Sequence, residues 1–101
     1  MKVLAGITVV PLGVGLSLSR YVAECERILA EAGLEPQLHA NGTNVEGDWD
    51  EVFAAVRRCH EAVHAKGAPR IHTSLQLGTR IDRDQTMADK IASVQAKLAG
   101  D

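Results

Sequence analysis

An α+β domain, with two helices on one face of a four-stranded antiparallel sheet and an extra C-terminal helix, is predicted by three observations. Segments whose apolar residues recur at every second position alternate with segments in which they recur every three or four. The pair Asn41-Gly42 joins two strand-like segments as a hairpin. Gly33 and Gly67 stand where the two longer helical patterns stop.

The first strand is expected over Lys2–Val10. Val3, Ala5, Ile7 and Val9 share one parity while Leu4 and Val10 occupy the other, as a central strand covered on both faces requires. Pro11 is expected to end it, and Leu12–Ser17 reads as a glycine-bearing loop in which Ser17, or Ser19 just beyond, caps the next helix. In that helix Leu18, Tyr21, Val22, Cys25, Ile28, Leu29 and Ala32 form an apolar stripe ended by Gly33. Leu34, Pro36, Leu38 and Ala40 then alternate with polar residues as an edge strand. A type I′ turn at Asn41-Gly42 would pair Ala40 with Thr43, His39 with Asn44, Leu38 with Val45 and Gln37 with Glu46, which puts Glu46 beside Gln37 and His39.

Asp48, with Glu51 three residues on, opens the second helix as a capping-box variant. Its stripe is Trp49, Val52, Phe53, Val56, Cys59, His60 and Val63, and Gly67 ends it. Ile71, Thr73, Leu75 and Leu77 alternate with His72, Ser74 and Gln76 as the fourth strand, and Thr86 with Asp89 caps a third helix whose seam is Met87, Ile91, Val94 and Leu98. The order βαββαβ plus a terminal helix is the ferredoxin-like arrangement. Right-handed crossovers place both main helices on one face. The uncovered face would carry Thr8, Gln37, His39, Glu46, His72, Ser74 and Gln76 with Leu4 and Val10, a mixture suited to a partner subunit or a polar ligand. With the narrow third-helix seam, it implies a homo-oligomer, a dimer or a tetramer.

A chain of 101 residues is read as a single domain spanning 1–101, able to bury about 60 to 65% of its unfolded surface. A net charge of -2 supplies no footprint for a phosphate backbone, and Tyr21, Trp49 and Phe53 are too few for a base-stacking platform, so no nucleic acid partner is expected. Cys25 and Cys59 are neither dense enough for a disulfide scaffold nor spaced for a metal, and read as buried free thiols of a reducing compartment. The stretch from Lys2 to Leu18 imitates a secretory leader, but Pro11, Gly13 and Gly15 break it and no cleavage signature follows. No run reaches the roughly 18 apolar residues of a membrane span. A cytoplasmic protein without membrane attachment is the expectation.

His60-Glu61-Ala62-Val63-His64 matches the zincin pattern, in which two imidazoles share a helix face and the glutamate acts as base. His60 lies on the apolar stripe, however, and a third ligand is missing, so a core histidine is favoured and zinc binding through His60 and His64 stays a remote alternative. Cys25 and Cys59 lie on apolar stripes and read as small hydrophobes rather than nucleophiles. Gly13-Val14-Gly15 lacks the lysine of a phosphate loop, and Arg80–Asp84 reads as a solvated loop. No catalytic residues, no metal and no cofactor are predicted, and the chain is not expected to be an enzyme. A carboxylate such as Glu46, semi-buried among hydrogen-bonding groups, is costly unless a subunit partner or a cationic ligand pairs with it.

The chain resembles the thiamine-binding protein family of short ferredoxin-like proteins. The resemblance rests on Val9-Val10-Pro11-Leu12-Gly13, Ser17-Leu18-Ser19 with Tyr21-Val22-Ala23, Gly42-Thr43 with Val45-Glu46-Gly47-Asp48-Trp49, His60-Glu61, and Gly67-Ala68-Pro69-Arg70. It implies a homo-oligomer that binds thiamine, or its pyrimidine part, near subunit boundaries without turnover, thiamine being a ligand rather than a cofactor. Carried over, Glu46 would meet the thiazolium cation or a pyrimidine nitrogen, Thr43 and Ser17 or Ser19 would bond the pyrimidine edge, and Leu12 and Val10 would form the apolar wall, with His39 on the neighbouring polar face. One departure stands out: Gly78-Thr79 precede Arg80 where the family commonly has two acidic residues. The competing reading is a structural or regulatory assembly module with no small ligand.

Overall fold

The computed structural model describes residues 1–100, built from β1 (Lys2–Leu12), α1 (Ser19–Glu31), β2 (Gln37–His39), β3 (Gly42–Asp48), α2 (Trp49–Ala65), β4 (Arg70–Gly78) and α3 (Met87–Leu98). The strands form one antiparallel sheet in the order β2-β3-β1-β4. This is the predicted ferredoxin-like arrangement with its added helix. Val3, Ala5, Ile7 and Val45 face the helices and close a core with Tyr21, Cys25, Ile28 and Leu29 of α1 and Val52, Ala55, Cys59 and Val63 of α2. Period-two and period-3.6 patterns thus meet on a single surface, and the burial of these side chains, each worth about 1.5–3 kcal/mol for the larger ones, holds helices to sheet.

Four local expectations give way. Pro11 does not end β1, which runs on to Leu12. β3 pairs with β1 only from Lys2 to Ile7, so past that point β1 has one unpaired edge, and there the proline's missing N–H breaks no ladder. Neither Ser17 nor Ser19 caps α1. The N-cap is Leu18, whose carbonyl accepts from Tyr21 and Val22, and the serines flank it at positions from which no side-chain cap forms. The second strand shrinks to Gln37–His39, because Gly33 and Glu35 turn the chain at positive φ (79° and 48°). Leu34 is buried all the same, inserted from a loop rather than from a strand.

The hairpin register also differs. His39 pairs with Gly42 and Gln37 with Asn44, so Ala40 and Asn41 form the loop and no type I′ turn is centred on Asn41-Gly42. Gly42 is needed instead for close approach: a Cβ there would sit 2.7 Å from the Thr8 hydroxyl and 2.8 Å from the Ile7 carbonyl. Thr8 Oγ1 donates to the Asn41 carbonyl at 2.9 Å, clamping the loop against β1. The register moves by two residues, so each side chain keeps its expected face.

Asp48 caps α2 by accepting from the Asp50 N–H at 3.1 Å, and Thr86 with Asp89 forms a complete capping box on α3. α3 meets the open sheet face near its N-terminus, with Met87, Lys90 and Ile91 beside Leu4, Gly6, Asn44 and Gln76. Met87 is buried there, whereas Ile91, Val94 and Leu98 are 50%, 59% and 82% exposed. The helix stands off the sheet and helps stretch the molecule to 49 × 28 × 20 Å, with a radius of gyration of 15.2 Å. A compact chain of this length would have about 13 Å.

Candidate functional site

Where β1 loses β3 as its neighbour, its free edge, the β2–β3 hairpin and the underside of α1 enclose a cavity of about 320 Å³. β1 lines it with Ile7 to Val10, α1 with Leu18, Val22, Cys25, Glu26 and Leu29, the hairpin with Leu38 to Thr43, and α2 with Cys59. Its walls are mostly aliphatic. Leu38, which is 62% exposed, forms part of the rim, so an apolar side chain that looks misplaced on an edge strand gains a role.

Two polar groups meet in this cavity. Thr43, on the helix-facing side of β3, donates its hydroxyl to Glu26 Oε1 and is 6% exposed. Glu26 is half-buried and projects from α1 toward the hairpin. The hydroxyl fixes one carboxylate oxygen and leaves the other as an acceptor beside an apolar wall. His39 closes the rim, with Nδ1 accepting from the Asn41 N–H at 3.3 Å.

Cys25 and Cys59 meet across α1 and α2 at the inner wall, where the Cys59 thiol points at the Cys25 carbonyl at 3.8 Å. The hydrogen bond to Cys25, together with burial, pushes the Cys59 thiol far above its ordinary range, so it stays protonated.

Among the residues singled out from sequence, the cavity gathers Val10, His39 and Thr43. Leu12, Ser17 and Ser19 are exposed and do not line it. Glu46 lies on the opposite face of the sheet, half-buried, and accepts the Met87 backbone N–H at 2.9 Å, bracing the N-terminus of α3. Sequence reasoning missed Glu26. Its signal was spacing: it sits four residues after Val22 and three before Leu29, on the border of the apolar stripe.

His60 Nε2 bonds to Thr73 Oγ1 at 2.6 Å and His64 Nδ1 to the Ala68 carbonyl at 2.7 Å, with ring centroids 6.3 Å apart. Each imidazole is thus engaged with its own neighbour. Among the described residues no group of three His, Cys, Asp or Glu side chains is placed to hold a metal ion. Gly78 ends β4, and with Thr79 it lines a separate cavity at the foot of α3.

The model of the thiamine-binding protein family matches residues 5–95. The chain belongs to that family. It is 62% identical to a UPF0045 protein of Synechocystis over 97% of this chain and 81% of the relative, and 42% identical to a UPF0045 protein of Eremothecium gossypii over 98% and 95%. A crystal structure of a hypothetical protein from Methanocaldococcus jannaschii superposes with a TM-score of 0.86 at 32% identity, covering 93% of this chain and 96% of that one. A Thermotoga maritima protein, described as a candidate thiamine biosynthesis or salvage protein, shares the fold at a TM-score of 0.79 and 20% identity, over 93% and 99% of the two chains. The family thus carries a thiamine-related role, and no helix among the described residues is long and apolar enough to cross a membrane.

Proposed function

We propose that this chain binds thiamine, or its aminopyrimidine part, in the cavity beneath α1, without chemical turnover and as a cytoplasmic homo-oligomer. The observation that carries the reading is the Glu26–Thr43 pair facing an aliphatic cavity of about 320 Å³ in a member of this family. Thiamine combines a permanent cation with a donor-acceptor heterocycle, so its site needs a carboxylate, oriented hydrogen-bonding groups and an apolar wall. Glu26 meets the first need, with its free oxygen accepting from the ring amine or facing the thiazolium charge. Thr43 and the hairpin backbone serve the second. Val10, Val22, Leu29 and Leu38 supply the third.

Titration calorimetry of the unmodified protein with thiamine tests the proposal, with saturable heat expected. Glu26→Gln should weaken binding by about tenfold or more, equivalent to at least about 1.4 kcal/mol, because it removes the charge and keeps the shape. Glu46→Ala, across the sheet, should leave thiamine affinity unchanged. No saturable heat at millimolar thiamine would overturn the reading, while equal losses in both variants would move the site away from the cavity.

A second reading, an assembly module without a small ligand, is favoured by one observation: the exposed seam Ile91, Val94 and Leu98, whose exposure rises from 50% to 82% along α3. The two readings are compatible, because an oligomer built through α3 leaves the cavity beneath α1 accessible.

A further inference from the structure

At the foot of α3 the start of β1, the end of β4 and the connecting loop enclose a second cavity of about 340 Å³. Four of the chain's 11 Lys and Arg residues line it: Lys2 from β1, Arg80 and Arg83 from the loop, and Lys90 from α3. In a protein whose net charge is -2, such a concentration needs a reason.

The acids nearby are largely committed. Asp82 bonds Arg80 through both carboxylate oxygens, at 2.6 Å and 2.5 Å, and Arg80 is further held by Gln85 Oε1 at 2.8 Å. The Arg80 guanidinium holds the Asp82 carboxyl down to about 2, so this pair stays ionised and mutually neutralised. Asp89 is bound into the α3 cap, accepting from the Thr86 N–H at 3.0 Å, with Lys2 and Arg83 within electrostatic reach. That leaves Asp84 as the acid lining the cavity. Lys2, Arg83 and Lys90 have no ion-pair partner among the described residues.

We infer that this cavity is a binding site for a phosphoryl group, independent of the thiamine reading. Three cations approach from three different elements, around an Arg80 already fixed in place. A compact tetrahedral dianion accepts charge-assisted hydrogen bonds from several directions at once, which suits the Lys2 and Lys90 ammonium groups and the free Arg83 guanidinium converging beside an Arg80 fork already taken by Asp82. The α3 N-terminus is a poor anion holder, because the N–H groups of Thr86, Met87 and Asp89 are spent on Asp89, Glu46 and Thr86. The Thr79 hydroxyl supplies a neutral donor and Leu4 an apolar wall for the rest of a phosphate ester. A Cβ added at Gly78 would meet nothing within 4 Å, so the cavity mouth is open there.

Amide NMR titration at low ionic strength tests this, with inorganic phosphate, pyrophosphate and phenyl phosphate as probes. Saturable shifts are expected at Lys2, Thr79, Arg83 and Lys90. They should weaken at least about tenfold in the double variant Lys2→Gln/Arg83→Gln and vanish in Thr79→Glu, which puts a negative charge in the mouth. Saturation by inorganic phosphate as tight as by phenyl phosphate upholds the site as one for free phosphate, and tighter ester binding upholds it as one for an ester resting on Leu4. Shifts that do not saturate, that persist in the double variant, or that malonate reproduces equally, overturn it. All the substituted side chains are exposed, so folding should survive. Thiamine calorimetry on the double variant should match the unmodified protein, which keeps failure here distinct from failure of the cavity beneath α1.

Discussion

At the scale of single residues the molecule separates two glutamates that a linear reading treats alike. Glu46 has the nearer hydrogen-bonding neighbours in sequence, yet its carboxylate goes to a backbone amide 41 residues away, at the head of α3. Glu26, one residue after a buried cysteine, turns toward Thr43 from across the layer. Neither destination is visible in a strand or helix pattern, because each is decided by which elements the tertiary fold stacks. Gly42 makes the same point in backbone terms. Gly42→Ala should destabilise the protein by more than ~1 kcal/mol, since the added methyl meets the Ile7 carbonyl, a backbone atom that no side-chain rotation moves, as well as the Thr8 hydroxyl that clamps the loop. Thermal unfolding followed by circular dichroism measures this, and an unchanged midpoint would show that the hairpin can back away from β1.

Among the elements, the helices differ in how they are started, and that difference carries a pH signature. α1 begins without a side-chain cap and relies on its buried stripe, whereas α2 and α3 begin on Asp48 and on Thr86 with Asp89. The amino-terminal ammonium, followed by the Asp50 N–H, holds the Asp48 carboxyl below its ordinary value of 3.8. The Thr86 backbone N–H does the same for Asp89. Folded values below the unfolded ones mean that these groups stabilise the protein fully above about pH 4, and that the contribution is lost as pH falls through the lower folded values. Helicity at 222 nm is therefore expected to hold from neutral pH to about pH 4 and to fall below it. Asp48→Asn should flatten the part of that decline due to α2, and an identical acid profile in this variant would show that the cap contributes nothing.

For the whole molecule, the sheet is the organising partition, with an aliphatic cavity on one side and the foot of α3 on the other. That partition was legible in the sequence. Long segments of period two in β1, β3 and β4 and of period 3.6 in α1 and α2 fixed which residues face the helices, and the two-residue register change left those faces intact. The cavity was not legible. It exists because β3 stops pairing at Ile7 while β1 continues to Leu12, a mismatch of strand lengths that no local pattern encodes. If the proposed homo-oligomer forms through the seam on α3, Val94→Asp is expected to reduce it to smaller species while leaving the domain folded, because Val94 is 59% exposed within one chain. Light scattering coupled to size exclusion measures this, and an unchanged mass would take the seam out of the interface.

The outrigger made by α3 also has a dynamic corollary. A body of 49 × 28 × 20 Å does not tumble like a sphere, so a lone protomer should show direction-dependent ¹⁵N relaxation. Amide vectors lying along the long dimension would report slower reorientation than those lying across it. If self-association embraces the helix, that anisotropy should fade on concentration, and the dilution at which it returns would give the strength of the association from spin relaxation alone.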